Sequence, residues 1–125
     1  MIFVDTNVLM YAVGREHPLR EDAQAFFEDA LQRDERLVTS AEVLQELLRA
    51  YLPVNRVNTL DAALTLADPR IAEVWPVERE DVRLARELVA SYPALTARDL
   101  LHVACCQRHD VTQVKTFDRA LGAAF

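Results

Sequence analysis

The sequence predicts an α/β fold built on a mainly parallel central sheet with helices on both faces. Short apolar runs fit buried strands, helical apolar stripes alternate with them, and acidic residues fall just after the first and last strands. The chain has 125 residues, 51% of them hydrophobic, which suits one globular domain with a real core. Two glycines and five prolines punctuate it, and no linker, charge block or repeat divides it, so a single domain over residues 1–125 is expected.

Ile2, Phe3 and Val4 form an apolar run of the kind that makes a buried strand, and the Asp5–Thr6–Asn7 that follows can cap a helix over Val8–Val13. From Leu19 to Asp34, Ala23, Phe26, Phe27, Ala30 and Leu31 repeat at helical spacing, after which Leu37 and Val38 make a brief strand. Thr39 with Glu42 matches a capping box, opening a helix with Val43, Leu44, Leu47, Leu48 and Tyr51 on its apolar stripe, which Pro53 ends. A helix is expected over Val57–Ala67, broken by Pro69, and Val74–Val77 reads as a short strand despite its proline. Glu80–Tyr92 carries Val82, Ala85, Leu88, Val89 and Tyr92 on one face and stops before Pro93. Thr96 opens a last long helix to about His109, and Val111–Lys115 makes the final strand.

Acidic residues outnumber basic ones by 20 to 14, a net charge of −6, which argues against a broad basic surface for non-specific nucleic-acid binding. That argument weakens where carboxylates share a pocket with divalent cations, since each ion inverts the potential a phosphate meets. Cys105 and Cys106 are adjacent on a helical pattern, read as free core thiols, and point to a reducing cytoplasm. The N-terminal run lacks a basic leader and contains Asp5 and Asn7, so neither a signal peptide nor a membrane span is expected.

Asp5 follows the first strand and Asp118 the last, so a parallel sheet brings both to one edge. Asp99 lies in the first turn of its helix, where it reads equally as a capping partner of Thr96 and as a site residue. Glu46 lies off the apolar stripe, sharing a polar face with Gln45 and Arg49, and by itself reads as a solvated surface acid. Gathered carboxylates supply the hard oxygen ligands that Mg²⁺ or Mn²⁺ require, with open positions for a phosphate.

Four segments in order, VDTNVLMYA at 4–12, TSAEVLQELLRAY at 39–51, LTARDLLHVACCQRHD at 95–110 and VKTFDRAL at 114–121, make the whole chain resemble the PIN-domain nucleases. The likeness is strongest to the VapC-type toxin ribonucleases of type II toxin–antitoxin pairs. The resemblance implies a PIN-like three-layer α/β/α sandwich and metal-assisted hydrolysis of RNA phosphodiesters. It implies Asp5, Glu46, Asp99 and Asp118 as the acids, with Asp5, Asp99 and Asp118 on Mg²⁺ or Mn²⁺, and Thr6, Asn7 and Thr116 in support. It also implies an antitoxin protein that blocks the site, and a homodimer. Glu42 is the rival to Glu46, set aside because the capping box already employs it.

Other readings compete. His102, one turn after Asp99, is read as a packing or hydrogen-bonding residue outside the site. Arg49, Arg98, Lys115 and Arg119 flank the acids and are read as surface ion-pair partners, and Tyr11, Tyr51 and Trp75 as core or interface residues. A phosphate-accepting receiver domain gains a foothold from Lys115, but receivers present adjacent acids where this chain has Thr6 and Asn7. An inactive PIN-like binding module predicts a damaged acid set, and none of the four is missing.

Overall fold

A computed structural model describes residues 1–125. Four strands, β1 (Ile2–Val4), β2 (Leu37–Ser40), β3 (Glu73–Trp75) and β4 (Val114–Lys115), form one sheet in the order β3-β2-β1-β4, every pairing parallel. The helices are α1 (Thr6–Val13), α2 (Pro18–Gln32), α3 (Ala41–Tyr51), α4 (Val57–Arg70), α5 (Arg79–Leu88), α6 (Ala97–Arg108) and α7 (Arg119–Gly122). Helices α1 to α4 pack among themselves and α5 packs on α6, giving a three-layer α/β/α sandwich. No helix is long and apolar enough to cross a membrane.

The sheet order reverses between β1 and β4, and the space beyond the carboxyl ends of strands at such a switch point is where open parallel sheets place ligands. Phe3 and Val4 of β1 are fully buried, as are Val38 of β2, Val8 and Leu9 of α1, and Val43 and Leu47 of α3. This core fixes the ends of β1, α1 and α3 relative to one another. Asp34, Asn55 and Asp110 adopt left-handed backbone at the ends of α2, α3 and α6. Asx side chains tolerate that conformation better than most, so the turns form with few glycines.

Several elements differ from the sequence expectation. Helix α1 begins at Thr6, not Val8, because the Asp5 side chain already accepts the Thr6 amide as N-cap. Thr39 belongs to β2 and donates its hydroxyl to the Val4 carbonyl at 2.8 Å, so the Thr39–Glu42 capping box does not form; Ser40 takes the N-cap position of α3 without a side-chain capping bond. Pro69 does not break α4: late in the helix it removes one ladder bond, and Ile71 N–H closes the end onto the Ala67 carbonyl at 2.8 Å. Strand β3 stops at Trp75 because Pro76 has no N–H for the ladder, not at Val77. Helix α5 ends at Leu88, whose carbonyl takes the Ser91 and Tyr92 amides ahead of Pro93. Val82 and the C-cap Val89 are exposed, and the residue α5 buries is Asp81, bonded to Arg108 of α6 at 2.8 Å. Strand β4 is only Val114–Lys115, because Val111 N–H is spent on the Cys106 carbonyl at 2.9 Å.

Candidate active site

Asp5 ends β1, and its amide bonds to the Lys115 carbonyl of β4 at 3.0 Å, which carries the β1–β4 register one residue further to Thr116. Asp5 Oδ1 accepts the Thr6 amide at 2.8 Å and Oδ2 accepts the Thr116 hydroxyl at 2.7 Å. The same hydroxyl oxygen accepts Asn7 Nδ2 at 3.3 Å and the Asp118 amide at 3.0 Å, which saturates its one donor and two lone pairs. Asn7 Oδ1 in turn accepts the Phe117 amide at 3.2 Å. Thr6, Asn7 and Thr116 therefore tie α1 to the end of β4 and fix the orientation of Asp5.

Glu46 reaches the same place from α3. It is buried, not solvated, because α3 inserts the face bearing Val43, Glu46 and Leu47 into the protein. Its Oε2 accepts the Thr6 hydroxyl, and its Oε1 lies 3.0 Å from His102 Nε2. Glu42 lies one turn earlier and does not line the cavity that Glu46 lines.

That cavity, of about 350 Å³, is lined by Asp5, Glu46, Asp99 and Asp118 together with Arg98 and Thr96. All four sequence-predicted acids converge on it, although they come from the ends of β1 and β4 and from α3 and α6. Asp99 stands in the first turn of α6, where the Thr96 hydroxyl caps its amide at 3.3 Å. Asp118 is exposed and spends Oδ1 on the amides of Ala120 and Leu121, as N-cap of α7.

His102 is a packing and hydrogen-bonding residue, as the sequence reading has it, but its partner is one of the site's own acids. It is fully buried, its Nε2 faces Glu46 and lies 3.8 Å from Asp5 Oδ1, and donor atoms of Asp5, Glu46 and His102 lie within 4.8 Å of one another. The available signal was its spacing: three residues after Asp99 places the two one above the other on α6. The ion-pair reading of Arg49, Arg98, Lys115 and Arg119 also fails, since none has a carboxylate oxygen within 4.0 Å. Lys115 instead rests its ammonium over the rings of Phe117 and Phe26. Tyr51 and Trp75 are core residues as expected, whereas Tyr11 is only half-buried.

The electrostatics are those of a site short of positive charge. Burial pushes Asp5 above the ordinary carboxylate range, against the opposing pull of Thr116, His102 and the Thr6 amide. Burial also raises Asp99, and the charges of Asp5 and Asp118 raise it further. Burial alone would raise Glu46 too, but the bonds from His102 and Thr6, with the charges of His102 and Arg98, lower it. His102 is raised: burial opposes its charge, yet the bond to Glu46 and the charges of Glu46, Asp5 and Asp99 outweigh it. Its Nδ1 is buried without a partner, so protonation there would add an unsatisfied N–H.

A divalent cation fits this donor set. Asp5 and Asp99 are held apart from their preferred charge state by burial and mutual repulsion, which a cation between carboxylates relieves, and hard oxygen donors suit Mg²⁺ or Mn²⁺.

Fold and site together define an α/β domain that gathers carboxylates able to hold a metal ion at the switch point of a parallel sheet. The chain belongs to the PIN domain family, whose model matches residues 2–124. It is 62% identical to Ribonuclease VapC23 of Mycobacterium tuberculosis over 125 residues, all of this chain and 98% of that one. With Ribonuclease VapC13 of the same organism it shares 45% identity over 119 residues, 95% of this chain and 91% of the other. Among solved structures, the fold matches M. tuberculosis VapC20 with a TM-score of 0.76 at 20% identity, covering 99% of this chain and 95% of that one. It also matches a chain of the FitAcB structure from Neisseria gonorrhoeae, TM-score 0.71 at 25% identity, covering 99% and 92%.

Proposed function

We propose that this protein is a metal-dependent endoribonuclease that hydrolyses RNA phosphodiester bonds, acting as the toxin of a type II toxin–antitoxin pair. The observation that carries the reading is the convergence of Asp5, Glu46, Asp99 and Asp118 on one cavity. The full-length similarity to relatives named as VapC ribonucleases supports the choice of RNA and the toxin role.

Asp5, Asp99 and Asp118 are assigned to hold Mg²⁺, with Mn²⁺ as a substitute. When bound, the cation supplies an acidified water and offsets the charge of the scissile phosphate. The chain's own groups supply order. Thr116 and the Thr6 amide lock Asp5 in one orientation. Thr6 and His102 hold Glu46 ionised and directed into the cavity, where it can take a proton from an attacking water. Arg98, which lines the cavity free of any ion pair, is placed to meet a phosphate oxygen. Water attacks in line, leaving a 5′-phosphate on one fragment and a 3′-hydroxyl on the other.

A cognate antitoxin that covers this cavity and a homodimer of the chain belong to the same reading. Co-expression with the product of the neighbouring gene, followed by size exclusion, tests both; a lone monomer in every fraction counts against them. The activity is tested by incubating the purified protein with a mixed RNA pool in Mg²⁺ and mapping fragment ends. Fragments with 5′-phosphate and 3′-hydroxyl ends support hydrolysis by an activated water. Cyclic 2′,3′-phosphate ends would show attack by the ribose hydroxyl, and the carboxylate account would then be wrong.

A further inference from the structure

A second cavity, of about 450 Å³, adjoins the carboxylate cavity: Asn7 and Met10 line both. Its volume falls within the roughly 300–1,000 Å³ typical of small-ligand sites. Its character is different from its neighbour's. From the end of α1 and the turn into α2 it is lined by Tyr11 and His17, whose rings lie 4.7 Å apart at 35°. From the end of α3 it is lined by Tyr51 and from the N-cap of α4 by Arg56, whose guanidinium lies 5.9 Å from the centre of the Tyr51 ring.

The position of Tyr11 is set from behind. Phe117 meets its ring edge-on at 5.5 Å, and Phe117 is itself held by its amide's bond to Asn7. Gly14 also lines the cavity, at a point where a Cβ would lie 2.8 Å from the Met10 carbonyl oxygen, so no larger residue fits without moving the end of α1. The cavity's charged groups are Arg15, Arg56 and one carboxylate, Glu16; neither arginine forms an ion pair, and Arg56 Nη2 donates to the Thr59 hydroxyl at 3.4 Å. Aromatic rings beside guanidinium groups free of ion pairs are what single-stranded nucleic acid needs, the ring for the base and the cation for its phosphate. A strand whose scissile phosphate lies at the carboxylates would pass its neighbouring nucleotide over Asn7 and Met10, the residues the two cavities share.

We propose that the cavity between Tyr11, His17 and Arg56, floored by the buried Tyr51, is a nucleobase subsite that takes an unpaired base of RNA adjacent to the cleaved phosphate. The inference rests on the ribonuclease reading and names where that enzyme grips its substrate.

The test uses fluorescein-labelled single-stranded poly(A), poly(U), poly(C) and poly(G) hexanucleotides, with affinity read by fluorescence anisotropy in EDTA so that no metal-dependent cleavage intervenes. His17→Asn removes the ring yet keeps an N-cap for α2, whose Leu19 amide His17 Nδ1 now accepts at 3.1 Å. Tyr11→Leu keeps apolar bulk and removes the aromatic face, and Arg56→Gln removes the charge. The expected result is binding of at least one homopolymer by the wild type, weakened about tenfold in Tyr11→Leu and His17→Asn. In cleavage of the RNA pool with Mg²⁺, KM should rise and kcat change less than about twofold. Wild-type affinity in all three folded variants would overturn the subsite while leaving the ribonuclease reading intact. A wild type that binds no homopolymer also overturns it, and absence of cleavage as well would remove the ribonuclease reading. Variants that keep RNA affinity but no longer bind a co-expressed protein partner would assign the cavity to that partner instead.

Discussion

His102 Nε2 lies 3.0 Å from Glu46 Oε1, inside the protein and between two helices whose chain positions are 56 residues apart. A carboxylate only accepts, so Nε2 carries the hydrogen and the ring is fixed in one orientation. His102→Ala is expected to cost about 2–4 kcal/mol, from the lost packing of a fully buried ring and a buried carboxylate short of a donor. His102→Gln, which can offer an N–H to Glu46, should recover part of it. Urea denaturation in EDTA measures both; an alanine variant as stable as wild type would remove the structural weight placed on this bond.

Glu46 and Glu42 are separable. Glu46→Gln should lower cleavage by at least about a hundredfold, as expected for loss of a positioned acid or base. Glu42→Gln should leave it within about twofold, since Glu42 does not line the cavity. Parallel kcat measurements decide the matter, and the reverse ranking would mean that the wrong acid has been assigned on α3.

Asp118 serves two roles that Asn can split. Asp118→Asn keeps an acceptor for the amides of Ala120 and Leu121, so stability should stay within about 0.5 kcal/mol of wild type. It removes one negative charge from the cavity, so the midpoint of Mg²⁺ activation should move to higher concentration. An unchanged midpoint would leave Asp118 as a helix cap alone.

Asp81 gives the fold a pH dependence far from the carboxylate cavity. Burial would raise it, but the Glu78 amide at 2.7 Å and Arg108 at 2.8 Å hold it below the usual carboxylate value. Because its folded value lies below the unfolded value of about 4, its contribution is fully present above that pH and is lost as pH falls through the folded value. Asp81→Asn should therefore cost about 1–3 kcal/mol at pH 7. The gap between wild type and variant should narrow as pH falls below about 4. Denaturation curves across that window provide the check, and a gap independent of pH would assign the loss to packing rather than to charge.

The strand Ile2–Val4 and the α6 start at Thr96 were legible because their signals are local: a run of three apolar residues, and a cap one residue before a helix. Thr39 shows the limit. A threonine three residues before a glutamate looks like a cap whether or not the strand before it continues, and here the Val4 carbonyl of the neighbouring strand takes the hydroxyl. Burial of Glu46 was hidden for a related reason. One-face patterning treats every charged residue as solvent-facing, yet this one is satisfied by Thr6 and His102, partners 40 and 56 residues distant. Asp5 and Asp118 could be placed at one edge from their positions after parallel strands, and the β1–β4 pairing joins them, but Asp99 reaches the cavity from the first turn of α6, which no local pattern directs there.

The most direct test of the central claim is cleavage of an RNA pool by the wild type and by Asp5→Asn and Asp99→Asn, each in Mg²⁺, in Mn²⁺ and in EDTA, after circular dichroism has shown that all three fold alike. The account predicts cleavage by the wild type with either metal, none in EDTA, and a loss of at least about a hundredfold in both variants. Equal cleavage by wild type and variants, or cleavage that persists in EDTA, would contradict a carboxylate-held metal as the source of the activity.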